Sequence, residues 1–169
     1  MAVNEGKIIF KDFTGEITEE IEDIILRWLE TASAELESQV AMRTGDGKWH
    51  SQIKQEWAHT VDRKKYEAII GNPMQEAIWL EYGTGEYALK GNGRKGYWVF
   101  VKDSTGKTSK SNKKYTLEEA KKTVAFMRSK GLEAMYTCGM KPQRNLHHAF
   151  VSNEDFLKSH LKRELKGLK

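Results

Sequence analysis

A chain of 169 residues, 38% of them hydrophobic and five of them Trp, is the size of one domain with a core of its own. Its single cysteine, Cys138, excludes an intrachain disulfide framework, and with no apolar run near ~18 residues it has no candidate membrane span. The opening MAVNEGKIIFKDF does not read as a signal peptide, so the expected product is soluble and made in a reducing cytoplasm.

In chain order, KIIFKDF (7–13) reads as a short strand and Thr14-Gly15 as a turn. Thr18 is placed to cap a long helix, with Glu19 and Glu20 in the first turn where the helix dipole favours negative charge. Ile21, Ile24, Ile25, Trp28, Leu29, Ala32, Leu36 and Val40 recur at helical spacing, and Gly45 is the expected stop. A helix of about 26 residues makes a rod about 39 Å long. Residues 49–60 fit either a short helix or the entry to a strand. The stretch 60–71 predicts a hairpin or one bent strand, closed by an Asn72-Pro73 turn.

Met74 to Tyr82 predicts a short helix, ended by Gly83-Thr84-Gly85. GYWVFVK (96–102) is the clearest strand signal, and DSTGKTSKSNKK (103–114) predicts its exposed, mobile loop, too polar to pack. Thr116 and Glu119 form a capping box for a helix that buries Leu117, Ala120, Val124 and Met127 and stops at Gly131. LEAMYTCG (132–139) predicts a strand. Met140-Lys141-Pro142 then turns the chain into a final helix with Leu146, Phe150, Leu157, Leu161 and Leu165 on one stripe, and 152–155 could cap a second segment within it.

The sum is α+β: a long N-terminal helix on a small, mainly antiparallel sheet, a strand–helix–strand extension and a C-terminal helix. Three or four strands are expected, with helices on one side. With no repeat and no obvious linker, 1–169 reads as a single domain.

The net charge of +4 hides a sharper pattern. Lys90, Arg94, Lys95, Lys102, Lys107, Lys110, Lys113 and Lys114 are opposed only by Asp103, a local net of +7. Glu16, Glu19, Glu20, Glu22, Asp23, Glu30, Glu35 and Glu37 are opposed only by Arg27, a local net of −7. Such runs are commonly solvated faces. A chain with one patch of each sign can also attract copies of itself head to tail.

Chemical motifs fail on context. Gly106-Lys107-Thr108 ends like a phosphate-binding loop, but the first glycine of that pattern would fall at Val101, inside a strand. Gly91-Asn92-Gly93-Arg94-Lys95-Gly96 spells the dinucleotide fingerprint, yet it precedes a strand where the fingerprint must follow one and open a helix. These glycines instead suit a tight, positive-φ path from helix to strand. His147 and His148 are adjacent and would project about 100° apart on a helix. His50, His59 and His160 have no neighbouring carboxylate pattern, and Cys138 reads as a small apolar group in a strand. No catalytic, cofactor or metal residues are therefore expected, and the chain is not read as an enzyme.

Two phrases carry a resemblance. AIWLEYGTG (77–85) is similar to the signature of a bacteriophage and prophage family of tail-completion, or head–tail joining, proteins: Ala-aliphatic-x-aliphatic-Glu-Tyr/Phe-Gly-Thr-Gly after a Gly-Asn-like turn, here Gly71-Asn72. GMKPQRNLHHAF (139–150) resembles that family's C-terminal phrase in register, matching at Gly139, Pro142, Leu146, Ala149 and Phe150, while Arg144, Asn145 and His148 replace its usual Pro, Phe and Pro. The motif residues are thus Glu81, Tyr82, Gly83, Thr84 and Gly85 with Gly139, Pro142, Leu146, Ala149 and Phe150. Relative to the family's core, about 97–138 looks like an enlargement.

The resemblance implies a structural virion protein of the neck or upper tail, assembled in the host cytoplasm, without enzymatic activity or cofactor. Its implied partners are other neck and tail proteins and copies of itself in a ring, with no membrane. Read onto the charge map, the candidate interface is Glu19, Glu20, Glu22 and Asp23 against Lys90, Arg94, Lys95, Lys107, Lys110, Lys113 and Lys114. A second reading makes the lysine-rich 90–114 segment, interleaved with Tyr87, Tyr97 and Trp98, a DNA-contacting surface.

Overall fold

The computed structural model describes residues 6–9, 19–45, 48–102 and 108–166. They fall into two compact units, Met1–Glu81 with Arg144–Lys169 and Tyr82–Gln143. The stretch 97–138 lies within the second.

The first unit is built on α1 (Glu19–Arg43), 25 residues long. Of its predicted stripe, Ile24, Ile25, Trp28, Leu29, Ala32, Leu36 and Val40 are core residues, and Ile21 is half-buried. Each such aliphatic or aromatic side chain removed from water stabilises the fold by about 1.5–3 kcal/mol. The expected cap, Thr18, lies outside the described residues. Against α1 packs a three-stranded antiparallel sheet of order β1-β3-β2, formed by β1 (Gly6–Ile9), β2 (Ala58–Asp62) and β3 (Glu67–Gly71). The β2–β3 pair is the predicted hairpin, with Thr60 opposite Ile69. In central β3, Ala68 and Ile70 are buried and their neighbours are half-buried, the alternation of a strand with one face on a core.

The ambiguous segment before β2 is α2 (Lys48–Gln55), which buries Ile53. Buried polar groups here are satisfied. Asn72 donates from Nδ2 to the Ile53 carbonyl (2.7 Å) and accepts from the Met74 N–H (3.0 Å), which fixes the turn into α3 (Gln75–Tyr82). Trp57 Nε1 donates to Thr44 Oγ1 (3.0 Å).

The last helix, α5 (Asn145–Leu165), packs along α1, and Trp28 Nε1 donates to the Leu157 carbonyl (3.1 Å). It is unbroken where a second cap was expected at 152–155. Ser152 Oγ and Asn153 Nδ2 bond back to the His148 and Ala149 carbonyls, so these polar side chains satisfy their own helix and do not start a new one.

The second unit holds another three-stranded antiparallel sheet, of order β5-β4-β6, made of β4 (Trp98–Lys102), β5 (Thr108–Lys110) and β6 (Glu133–Thr137). Its helix α4 (Leu117–Ser129) joins Ala120 and Val124 to Val99 and Ala134 in a small core. The α+β class and the order of elements match expectation, but six strands in two sheets stand among the described residues where three or four strands were expected. The largest departure is β5. Thr108–Lys110, expected as unpacked loop, pairs with Lys102, Val101 and Phe100 of β4. Its side chains are exposed, so the backbone ladder alone makes it a strand. Residues 103–107 of that loop lie outside the described residues, and Leu117 is exposed where burial was expected.

The capping box of α4 is formed on both sides, Glu119 N–H to Thr116 Oγ1 (3.3 Å) and Thr116 N–H to the Glu119 carboxylate (2.8 Å). Hydrogen bonds from Thr116 hold the Glu119 carboxyl below its ordinary 4.5. A depressed carboxyl contributes stability above its unfolded pKa and loses it as pH falls through the folded value. Glu119→Gln should therefore be less stable than the parent at neutral pH, and the difference should vanish in denaturant titrations run well below pH 4.5. Leu36, with 0% of its surface exposed, gives the packing test: Leu36→Ala should lower the unfolding free energy by about 2–5 kcal/mol without changing the fold.

Candidate functional site

The motif at the end of α3 meets the start of α5 through one side chain. The Glu81 carboxylate, 7% exposed, accepts from the Leu146 N–H through one oxygen (2.8 Å) and from the His147 N–H through the other (3.1 Å). These are two of the amides left without partners in the first turn of any helix. The residue that would ordinarily cap them, Arg144, adopts the left-handed conformation (φ 54°) and supplies no side-chain acceptor. Its own N–H donates to the Leu80 carbonyl (3.3 Å), tying the same turn to the end of α3 a second time. Glu81 is thus a cap delivered from 65 residues away, and its charge opposes the positive end of the α5 dipole.

The rest of the motif binds the other half of the second phrase. Thr84 N–H donates to the Met140 carbonyl (2.9 Å), and Thr84 Oγ1 accepts from the Met140 N–H (2.9 Å). Glu86 N–H donates to the Cys138 carbonyl (2.8 Å). The backbones approach so closely that side chains are excluded. A Cβ on Gly85 would fall 2.1 Å from the Cys138 carbonyl oxygen, and one on Gly139 would fall 2.0 Å from that of Thr84. Gly83 (φ +70) turns the chain out of α3 beside Pro142. Tyr82 is exposed, with Lys90 Nζ 5.1 Å from its ring. Leu146 and Ala149 are buried. Phe150 lines an apolar groove of about 300 Å³ with Trp28, Val151, Leu157 and Leu161. Two joints are thus built from motif residues, one at Glu81 and one at Gly83–Gly85 with Gly139 and Pro142, while Tyr82 and Phe150 take part in neither.

The glycines that follow keep the path expected of them. Gly91 (φ +69) and Gly96 (φ +79) are in the left-handed region, and Gly93 lies where a Cβ would fall 1.9 Å from the Gly85 carbonyl oxygen.

The candidate interface residues differ in what they can still do. Arg94 is engaged: its guanidinium donates to the Ser111 (3.0 Å) and Lys113 (2.8 Å) carbonyls and lies 5.1 Å from the Trp98 ring centre. Lys113 rests on Tyr115 (5.0 Å). Lys95, Lys110 and Lys114 are exposed, and Lys107 lies outside the described residues. Glu19, Glu20 and Asp23 are exposed in the first turns of α1, with Glu22 half-buried. The division of charge is broader than these runs. Residues 82–143 hold 13 Lys and Arg against 5 Asp and Glu, a net of +8, and the remainder of the chain holds 15 against 19, a net of −4.

One polar cluster contradicts the sequence reading. His59 on β2 has its Nδ1 2.6 Å from Glu37 Oε2 and its Nε2 3.6 Å from Glu30 Oε2, both on α1, and His160 lies 3.8 Å from Glu164. Glu30 and Glu37 stand two helical turns apart, so both face the strand. Only the packing of β2 on α1 reveals the His59 arrangement, which ties sheet to helix, whereas His160 and Glu164 lie one turn apart on α5. Among the described residues, no three His, Cys, Asp or Glu side chains are grouped as a metal site would need. No described helix is long and apolar enough to cross a membrane.

Comparison with known proteins gave no match to any family model, curated protein or solved structure.

Glu81→Ala should cost about 2 kcal/mol in denaturant unfolding, because the buried Leu146 N–H and the part-buried His147 N–H lose a carboxylate acceptor, and Glu81→Gln about half as much, since one oxygen remains. Gly85→Ala should cost at least about twice as much as Gly131→Ala, which starts from similar backbone strain with open space around it.

Proposed function

We propose that the chain is a structural subunit of a tailed phage or prophage virion, acting at the neck or upper tail in tail completion or head–tail joining and associating with its own copies in a ring. The observation that carries the reading is the joining of the two phrases on which the resemblance rests. Glu81 holds the start of α5, and Thr84–Gly85 lie against Cys138–Met140. Residues far apart in sequence meet at each of these two joints, as a shared architectural motif requires. Glu81, Thr84, Gly85 and Gly139 each have a mechanical task there.

The separation of charge supports association between unlike surfaces. In a closed ring every subunit offers one patch to one neighbour and a different patch to the other. Glu19, Glu20, Glu22 and Asp23 at the start of α1 meet Lys107, Lys110, Lys113 and Lys114 of a neighbouring copy or of another neck protein. Opposite charges there speed encounter and fix orientation more than they add affinity.

Reversing Lys107, Lys110, Lys113 and Lys114 to Glu should leave the monomer folded and lower its incorporation into tailed particles by about tenfold or more. A compensating reversal of Glu19, Glu20, Glu22 and Asp23 to Lys should recover part of the loss. Both are read by counting the protein in purified particles. Unchanged incorporation of the first variant contradicts the proposed interface.

A further inference from the structure

The sheet of the 82–143 unit has two unlike faces. On one, Val99 and Ala134 meet Ala120 and Val124 of α4, with Tyr97 and Val101 beside them. Strand alternation sends Trp98, Phe100 and Lys102 to the other face. The register supplies their neighbours: Lys110 and Met135 lie opposite Phe100, Thr137 opposite Trp98, and Thr108 and Glu133 opposite Lys102. The unit's α-helix among the described residues lies on the opposite side. Met135 is 39% exposed, Lys102 and Lys110 are exposed, and the two rings are half-buried.

We infer that this face binds single-stranded nucleic acid. Trp98 and Phe100 are two residues apart on one strand, which spaces their rings by about 6–7 Å. That exceeds the rise of about 3.4 Å between stacked duplex bases and suits bases drawn apart in an extended strand. The Arg94 guanidinium, held over the Trp98 ring by its bonds to two carbonyls, covers one face of that ring, so on that side a base stacks on the cation instead of the indole. Lys102 and Lys110 flank the rings and can meet phosphates, with Glu133 the opposing acid in the register, in a unit carrying a net +8. Aromatic planes bordered by cations are the two requirements for holding an unpaired strand without reading its sequence. The surface is independent of the virion reading, and oligonucleotide affinity fails or holds separately from incorporation into particles.

The test is fluorescence anisotropy of the full chain with labelled oligo-dT and oligo-rU of about a dozen nucleotides, over a salt series. Both should bind within about a few-fold of each other, because the contacts are to bases and phosphates, and each should bind more tightly than duplex of equal length. With about three phosphates neutralised, the slope of log K against log salt should be about −2, and Lys102→Ala or Lys110→Ala should each reduce it by about 0.7. Trp98→Ala and Phe100→Ala should each weaken binding by about tenfold or more. Phe100→Thr, which keeps a strand-forming residue, carries the test if the alanine variants unfold. Absence of binding, equal affinity for duplex, or affinity unchanged in a folded Phe100→Thr variant would overturn the inference, and capture of a second copy or another protein by this face with no oligonucleotide affinity would replace it.

Discussion

Glu81 presents both carboxylate oxygens to the first free amides of α5, at 2.8 and 3.1 Å, and the start of that helix depends on them. Arg144, immediately before α5, has a left-handed backbone and no capping side chain, so the helix cannot terminate itself. Without the carboxylate, the buried Leu146 N–H and the part-buried His147 N–H would both lose their acceptor next to the positive end of a 21-residue helix. The constraint reaches further than one turn. α5 runs along α1, so the placement of Leu146, Ala149 and Leu157 in the core follows from where the helix begins.

A second constraint is steric. Gly85 and Gly139 stand where the peptide groups of Cys138 and Thr84 occupy the space of a side chain, and Thr84 spans the gap with a backbone and a side-chain hydrogen bond to Met140. The Glu-Tyr-Gly-Thr-Gly sequence thus combines a charged cap for one segment with a backbone clasp for another. A glycine-rich stretch with lysines nearby invites a phosphate-binding reading. Here the close approach is made by the chain's own carbonyls, which would repel a phosphate.

What the sequence reveals divides along physical lines. Local signals were legible: the apolar stripe of α1, the Thr116–Glu119 capping box, a hairpin or bent strand over 60–71 and the positive-φ turns at Gly91 and Gly96 each follow from neighbouring residues. Non-local ones were not. Glu81 reads in the sequence only as a residue of the motif, and the partners that define its task lie 65 and 66 residues away. Thr108–Lys110 has one β-branched residue among polar neighbours and no apolar alternation, so it becomes β5 only through the ladder to β4. His59 finds its carboxylates on a helix that precedes it by many residues. Arg94 looks like one more solvated cation in a basic run, and the structure places it on Trp98 with two carbonyls satisfied. The separation of charge between the two compact units needed their boundaries as well as the composition.

The account's central claim is that Glu81 is a structural cap, so its direct measurement is amide hydrogen exchange at Leu146 and His147. In the parent protein both amides should exchange slowly. In Glu81→Ala they should exchange far faster, by roughly a hundredfold if local opening releases them, while the amides of Val99 and Ala134 in the other unit keep their parent rates. Equal protection at Leu146 and His147 in the two proteins would contradict the account.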